Sequence, residues 1–299
     1  MNPKNLLRPE YLFQPRMVLK RFLRAIKSPR ETEIVQLPWG LPLKVRPDEV
    51  VGSVIWCYGL IDLVVAESIA RLLDPGETAL DVGANIGQMT GLMALVSGVG
   101  GRIIAFEAHP IVAEELRENR DLWNNLGSQA PIDIREVAVS LSSGEVKFAS
   151  GKSWEANRGI AKVISPDSEG DGQVFTVPSV TLDDALPDGI NVGFCKLDVE
   201  GHEDAVLLGC KKLLTERRIR DIAFEDLDFA NSNVASLLEK HGYTIFSLHS
   251  EIMKPILRPA SRDVKFLIRD GCNFIASLDP QRTMARFQKF GWRALRRWC

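Results

Sequence analysis

The spacing of hydrophobic positions changes several times along the chain, and each change predicts a different kind of element. Short runs such as "TALDVG" and "RIIAFE" are apolar on both faces, as strands in the middle of a covered sheet are. They alternate with segments such as "IGQMTGLMALVS", in which apolar positions recur at helical spacing. Strands that alternate with helices in this way predict a mostly parallel sheet with helices on both faces, a doubly wound α/β fold.

The same pattern places the remaining elements. Further strands are predicted at "IDIREVAVS", "VGFCKLDVE", "IRDIAFED", "YTIFSL" and "NFIASL", and further helices at "LIDLVVAESIARLL", "IVAEELRENRDLWNNL", "EDAVLLGCKKLLTE" and "NVASLLEKHG". A loop containing Pro255 and Pro259 is expected before the last strand. Between residues 141 and 190, "GEVKFASG" and "QVFTVPSV" predict extra strands in an insertion that covers the ligand site. A hairpin that turns at Trp39 and Gly40 precedes the α/β pattern.

Charge is distributed unevenly and suggests how the chain is divided. Residues 1–30 carry eight Lys or Arg against one acid, and residues 281–299 carry six with no acid, although the net charge of the whole chain is -2. We therefore expect a basic helix and hairpin extension over residues 1–51, a main domain over 52–280 and a basic amphipathic helix over 281–299. Apolar side chains lie between the basic ones in both end segments, so each could contact an anionic membrane or pack on the body of the protein.

Composition narrows the class of protein. The chain has 45% hydrophobic and 25% charged residues, which is an ordinary globular balance. Its five cysteines show no Cys-x-x-Cys spacing, so neither a zinc ribbon nor a disulfide framework is indicated. We expect a cytoplasmic protein, because the basic, interrupted N-terminus is unlike a secretory signal. The acidic body also makes nucleic acid an unfavourable partner.

The stretch "ALDVGANIG" predicts a tight turn between the first strand and its helix, where open α/β sheets bind ligands. Gly83 and Gly87 allow close backbone approach, and Asn85 tolerates the left-handed region that glycine usually occupies. Asp81, at the strand end, would repel a pyrophosphate and favour a ligand that is cationic there, such as S-adenosylmethionine.

Two more strand ends complete the expected cofactor site. Glu107 closes the second strand, where an acid can accept both hydroxyl groups of a ribose. The third strand should border the adenine, with Glu136, Val137 and Ala138 as candidates. These positions indicate a nucleoside without identifying it.

The stretch "CKLDVEGHE" completes a set of motifs that is specific when all its members occur in one chain. Together with "DVGANIG", "IIAFEAHP", "EVAVS" and "TLDD", it resembles the FkbM family of class I S-adenosylmethionine-dependent methyltransferases, from about residue 52 to about residue 248. The resemblance implies a Rossmann-like fold with a seven-stranded sheet whose last strand is antiparallel. It also implies O-methylation of a hydroxyl on a sugar, glycan or similar natural product, by an enzyme that binds S-adenosylmethionine.

The resemblance further assigns individual residues. Asp81, Gly83, Asn85 and Gly87 would border the methionine part of the cofactor, and Glu107 would bind its ribose. One departure lies in "YGLIDL", where family members often carry Tyr-Glu and this chain has Asp62 one position along.

The fourth strand carries the candidate catalytic residues. Lys196, Asp198 and Glu200 are spaced by two, so an extended strand would place them on one face, which cannot be entirely apolar core. We expect Asp198 to face the methyl-transfer centre as a general base, Lys196 to neutralise a carboxylate, and Glu200 to contact the cofactor's ammonium group or the substrate. His202 could accept a proton near neutral pH.

Alternatives remain open from the sequence. His202 could be a solvated loop residue, and Lys196 and Glu203 could form ion pairs that only hold the fold. Asp198, Glu200, His202 and Glu203 could gather a divalent metal, although no metal is expected. Glu225, at the end of the fifth strand, could line the acceptor pocket. A nicotinamide-dependent oxidoreductase or a catalytically silent scaffold are the competing functions, the former disfavoured by the missing third glycine.

Overall fold

The computed structural model describes residues 9–13, 31–124, 127–150, 162–164, 173–261 and 272–298. The helices of these residues are α1 Pro9–Phe13, α2 Val50–Tyr58, α3 Leu63–Leu72, α4 Gln88–Ser97, α5 Pro110–Trp123, α6 Leu182–Ala185, α7 Glu203–Leu208, α8 Lys211–Thr215, α9 Asn233–Lys240 and α10 Pro280–Phe287. The strands are β1 Glu33–Gln36, β2 Pro42–Val45, β3 Thr78–Val82, β4 Arg102–Phe106, β5 Ile132–Arg135, β6 Ala138–Val139, β7 Gly144–Ala149, β8 Lys162–Ile164, β9 Val174–Val180, β10 Val192–Leu197, β11 Ile219–Glu225, β12 Thr244–Ser250, β13 Pro255–Pro259 and β14 Asn273–Ser277.

The main sheet has the strand order β13-β12-β14-β11-β10-β3-β4-β5. Strands β5, β4, β3, β10 and β11 pair in parallel, and β14 runs antiparallel between β11 and β12. This confirms the predicted α/β, Rossmann-like, mostly parallel sheet. The expected seven strands become eight, because the segment from Pro255 to Pro259 is not a loop but an edge strand paired with β12. Proline is tolerated there because an edge strand has one row of N–H groups without a neighbour.

Alternate residues of the central strands belong to different core clusters, which shows that both faces of the sheet are covered. Phe194 packs with the cluster that contains α3 and α4, whereas the next residue, Cys195, packs with the cluster that contains α7, α8 and α9. Ile103 and Ile104 divide in the same way. Side chains of a strand point to opposite faces in turn, so an apolar run without alternation is what this sandwiched position requires.

The hairpin and the C-terminal segment share one core cluster with the central sheet. The predicted hairpin is confirmed as β1 and β2, and its turn residue Trp39 is completely buried. The C-terminal segment is helical only over Pro280–Phe287, and Trp292 and Leu295 beyond it are buried in the same cluster. The C-terminal helix is therefore shorter than the predicted 281–299, and the predicted N-terminal basic helix lies outside the described residues apart from Pro9–Phe13. The division of the chain at residues 51 and 280 stays a prediction. Membrane contact through the basic ends stays a prediction.

The insertion forms a second sheet of order β6-β9-β7-β8 among the described residues. The strand predicted at "IDIREVAVS" is divided, since β5 ends in the main sheet at Arg135 and β6 begins in the second sheet at Ala138. The segment "SPDSEGDG" between the predicted strands of the insertion lies outside the described residues.

The helix predicted at "EDAVLLGCKKLLTE" is also divided, into α7 and α8. The break lies at Gly209, where an added Cβ would be 2.2 Å from the backbone oxygen of Ser140. Close packing against the start of the second sheet therefore sets this helix end.

Within the described ranges, no single helix is both long and apolar enough to span a membrane. Helices α2 and α3 meet that length and composition test only as a pair, and they are bent by 72° at their junction.

Candidate functional site

A cavity opens at the carboxyl ends of β3, β4, β10 and β11, and the second sheet closes part of it through Phe148 and Val163. This is where the strand order reverses between β3 and β10, the position at which open α/β sheets bind ligands. The charged side chains that line it are Asp62, Glu107, Lys196, Asp198, Glu200 and Glu225. Five carboxyl groups against one ammonium group make the cavity suited to a cationic guest.

The glycine turn after β3 borders the cavity, but its glycines are required by protein packing. An added Cβ on Gly83 (φ 80°) would lie 1.8 Å from the backbone oxygen of Asp198, and one on Gly87 (φ 93°) would lie 2.4 Å from Leu116. Gly83 and Asn85 line the cavity, whereas Gly87 does not. Asn85 adopts the left-handed conformation with φ 49°, as the sequence predicted. The turn thus lets β3 and β10 end side by side under the ligand space.

Glu107 occupies the position expected for the ribose acid. One of its oxygens accepts a hydrogen bond from the backbone N–H of Asn85 and the other from that of His109, both at 2.9 Å. Burial raises the pKa of Glu107, and these two hydrogen bonds oppose that rise. A carboxylate oxygen can accept more than one hydrogen bond, so both remain able to bind a hydroxyl group.

Lys196 joins the first and fourth strands electrostatically. Its Nζ lies 3.1 Å from Asp198 Oδ2 and 3.5 Å from Asp81 Oδ1, and it donates a 2.9 Å hydrogen bond to the backbone oxygen of Gly83. The pKa of Lys196 is raised, because these two carboxylates outweigh the effect of burial. The expected neutralising role of Lys196 fits this arrangement.

Asp81 lies behind the cavity wall. Its side chain is completely buried and its Oδ2 accepts a 2.6 Å hydrogen bond from Thr90. Burial raises the pKa of Asp81, while Lys196 and Thr90 lower it. The structure therefore places Asp81 in a supporting position beneath the turn, where its contact with Lys196 stabilises that side chain.

Three carboxyl groups around Asp198 carry excess negative charge. Asp62, Glu200 and Glu225 keep exposed surface, yet partial desolvation of their carboxyl groups, and secondarily the charge of Asp198, raises the pKa of Asp62 to about 6 and the pKa values of Glu200 and Glu225 to about 7. Strand β10 ends at Leu197, so the shared face proposed for Lys196, Asp198 and Glu200 is not that of a continuous strand. Glu200 instead reaches the cavity from a left-handed turn with φ 55°.

His202 lines the cavity, and its Nε2 lies 2.9 Å from Ser140 Oγ. Burial lowers the pKa of His202, which leaves the imidazole neutral near pH 7. Glu203 forms no ion pair with any residue that the structure describes. Its Oε1 accepts hydrogen bonds from the backbone N–H groups of Val199 and Gly201, at 3.0 and 3.3 Å. It therefore fixes the loop that carries Asp198 and Glu200.

At the third strand the structure separates two predicted neighbours. Ala138 lines the cavity together with Val137. Glu136 is exposed, does not line the cavity and forms a 2.7 Å ion pair with Arg117. The division between β5 and β6 turns its side chain away, so the structure does not bring Glu136 to the site.

Sequence reasoning missed how Asp62 is held in place. The side-chain carboxamide of Gln88 accepts a 2.9 Å hydrogen bond from the backbone N–H of Ile61 and donates a 2.8 Å bond to its oxygen. Asp62 follows with φ 53° and makes no side-chain cap to α3. Of the four non-glycine residues with positive φ in the described ranges, Asp62, Asn85 and Glu200 all line the cavity. Such strain concentrates at functional sites, but no local pattern announces it.

The alternative of a divalent-metal site involves Asp198, Glu200, His202 and Glu203. No group of three or more His, Cys, Asp or Glu side chains in the described parts of the chain is arranged to hold a metal ion.

Fold and site together define an α/β protein with an acidic crevice at its topological switch point. The methyltransferase FkbM domain model matches residues 81–245, more than half of the chain. The chain therefore belongs to the FkbM methyltransferase family, whose methyl donor is S-adenosylmethionine.

Two relatives and one solved structure are similar to this chain. The hexuronic acid methyltransferase AglP of Haloferax volcanii is 29% identical over 170 residues, which cover 55% of this chain and 64% of AglP. The 31-O-demethyl-FK506 methyltransferase FkbM of Streptomyces tacrolimicus is 29% identical over 204 residues, covering 58% of this chain and 75% of that protein. The crystal structure of methyltransferase FkbM from Methylobacillus flagellatus has a TM-score of 0.42 and 16% identity, covering 67% of this chain and 43% of its own. The chain thus spans about two thirds or less of the length of AglP and of that crystallised protein.

Proposed function

We propose that this protein is an S-adenosylmethionine-dependent O-methyltransferase that acts on a hydroxyl group of a sugar, a glycan or a similar natural product. The observation that carries the proposal is the acidic cavity at the switch point, with Glu107 held for a ribose and Asp198 at the end of β10. The names of the relatives support this acceptor class. One is named as a methyltransferase of hexuronic acid, and the other as a methyltransferase of 31-O-demethyl-FK506.

The residues of the cavity fit the cofactor. Glu107 would bind the ribose hydroxyl groups, and Val137 and Ala138 would border the adenine. Gly83, Asn85 and Glu200 would surround the methionine part, where negative charge stabilises an ammonium group. A dinucleotide fits less well, because a pyrophosphate would meet five carboxyl groups and only one lysine, and this disfavours the oxidoreductase.

The chain's own residues then have defined tasks in methyl transfer. The bound cofactor supplies an electrophilic methyl group on a positively charged sulfur. Asp198 accepts the proton of the acceptor hydroxyl as its oxygen attacks, and Lys196, 3.1 Å away, fixes the orientation of that carboxylate. His202, which is neutral near pH 7 and is held by Ser140, is a second proton acceptor in the cavity wall. The second sheet limits access of water to the reaction.

Binding measurements test the class of cofactor. Calorimetric titration with S-adenosylhomocysteine should give a saturable heat, and titration with NADH should give none. Heat from NADH alone would replace the methyltransferase with an oxidoreductase.

Replacement of the base tests the mechanism. Methyl transfer from labelled S-adenosylmethionine to a panel of sugars, glycans and hydroxylated natural products identifies an accepted substrate, which is then used to compare variants. Asp198→Asn should lower kcat by roughly 100-fold to 10,000-fold, the usual range for loss of a general base. Glu145→Gln, which removes an exposed carboxyl group of β7 outside the cavity, is the control and should transfer at the wild-type rate. Unchanged turnover in Asp198→Asn would remove Asp198 as the base.

A further inference from the structure

Asp62 and Glu225 stand at the junction of two spaces. Both line the main cavity, and both also line a smaller recess whose other walls include Val65, Phe224 and Asn273. Lys196 and Asp198 are shared by the two spaces as well. In the proposed reaction the cofactor would occupy the main cavity and the acceptor the recess, which would place the transferred methyl group at their junction.

We propose that Asp62 and Glu225 are the residues by which this site distinguishes the sulfonium cofactor from its demethylated product. The inference rests on the proposed function. The two molecules differ at the sulfur, which is positively charged before transfer and neutral afterwards. A pair of carboxylates at the junction attracts the first and gains nothing from the second, which favours release of product after each turnover.

The charge balance at the junction supports this role. The single charge of Lys196 is already shared between Asp81 at 3.5 Å and Asp198 at 3.1 Å. The negative charges of Asp62 and Glu225 are therefore in excess within the described part of the cavity. Desolvation and then the charge of Asp198 raise the pKa of Asp62 to about 6 and the pKa of Glu225 to about 7.

Hydrogen bonds to other elements also fix the backbone that carries each of the two carboxyl groups. Gln88 fastens the backbone of Ile61 to the start of α4, and this places Asp62 opposite the end of β10. Glu225 is the last residue of β11, and it lies in register with Asn273 of β14. The pair thus comes from two separate elements, the residue before α3 and the end of β11, so each carboxyl group can be replaced on its own.

The test is a calorimetric comparison of S-adenosylmethionine and S-adenosylhomocysteine at pH 8, above the pKa of either carboxyl group. Asp62→Asn and Glu225→Gln should each weaken S-adenosylmethionine by about tenfold, the scale of one partly solvated charge pair, and change S-adenosylhomocysteine by less than about twofold. Glu107→Gln is the matched control, because its ribose is common to both molecules and both should weaken equally. Thermal unfolding of each variant verifies that it is folded.

The outcomes separate this inference from the proposed function. Equal weakening of the two molecules in Asp62→Asn and Glu225→Gln, or no change in either variant, would overturn the discrimination while leaving the methyltransferase intact. Failure of the wild-type protein to bind either molecule would overturn both. A selective loss of S-adenosylmethionine in both variants, with parallel losses in Glu107→Gln, would establish the role.

Discussion

At the scale of single residues, the cavity concentrates like charges that have few counterions. Asp62, Glu200 and Glu225 surround Asp198, and Lys196 is the ammonium group among the described cavity residues. Such a group of carboxyl groups is poorly suited to the unliganded protein and well suited to a cationic ligand. Repulsion among these carboxyl groups lowers the stability of the folded protein, and this effect should change with pH as the groups ionise.

The pH dependence of stability should change in Glu225→Gln. The pKa of Glu225 is raised from 4.5 to about 7, so between these values the folded protein holds a proton that the unfolded chain releases. Its contribution to stability is therefore present in acid and is lost as the pH rises through about 7. The amide imitates the protonated form, so Tm of the variant without ligand should fall less than that of the wild type between pH 5 and pH 8.

Glu145→Gln, at an exposed position of β7 outside the cavity, serves as the control for that measurement. Its Tm curve should run parallel to the wild-type curve. A parallel curve for Glu225→Gln as well would show that Glu225 is ionised in the folded protein throughout this range.

At the scale of elements, the loops after β3 and β10 are fixed by close approach more than by their own turn preferences. Gly83 admits the backbone of Asp198, and Gly209 admits that of Ser140, which in turn contacts His202. A buried contact of this kind links helix α7, the start of the second sheet and the imidazole. The position of His202 therefore depends on an element boundary several residues away.

Gly209→Ala tests this dependence. Its Cβ would lie 2.2 Å from Ser140 O and 3.3 Å from Thr181 Cβ, so backbone must move, and we expect unfolding in urea to be easier by about 1–3 kcal/mol. Gly100→Ala is the matched control, since its nearest atom would be Gly76 Cα at 3.6 Å, and its effect should stay within about 0.5 kcal/mol. Equal stability of the two variants would mean that the α7 to α8 break tolerates a side chain.

At the scale of the whole molecule, a buried ion pair attaches the C-terminal segment to the central fold. Arg71 Nε lies 2.6 Å from Glu67 Oε1, and both side chains are completely buried in α3. Arg71 also donates to the backbone oxygens of Arg286, Lys289 and Gly291, and Glu67 accepts from the N–H groups of Arg293 and Ala294. The basic C-terminal segment is thus part of the folded body.

Loss of one partner should be costly. Arg71→Met leaves the Glu67 carboxylate buried without its cation and three carbonyl groups without a donor, so urea unfolding should show a loss of about 3–5 kcal/mol. The double variant Glu67→Gln, Arg71→Met should lose less than the sum of the single losses, because the uncompensated charge is gone. Glu118→Gln, which breaks the surface pair with Lys44, should cost at most about 1 kcal/mol. If Arg71→Met also lowered the free energy of unfolding by no more than about 1 kcal/mol, the buried ion pair would not be what attaches the C-terminal segment.

The sequence by itself determined the order of elements and the strand ends that carry the site. Apolar runs without alternation mark strands covered on both faces, and parallel strands bring their carboxyl ends to one edge of the sheet. Gly83, Asn85, Glu107, Ala138, Lys196, Asp198, Glu200 and His202 accordingly line one cavity. The sequence did not determine what each of these residues does within the cavity.

Only the tertiary structure decided which side of the cavity wall each residue occupies. Asp81 lies behind the wall, Glu136 turns outward to Arg117, and Gly87 contacts α5. Asp62 enters the site because Gln88, far along the chain, holds the preceding residue. Periodicity reports local conformation and average burial, whereas these placements depend on contacts between segments distant in sequence, and such contacts leave no local pattern to read.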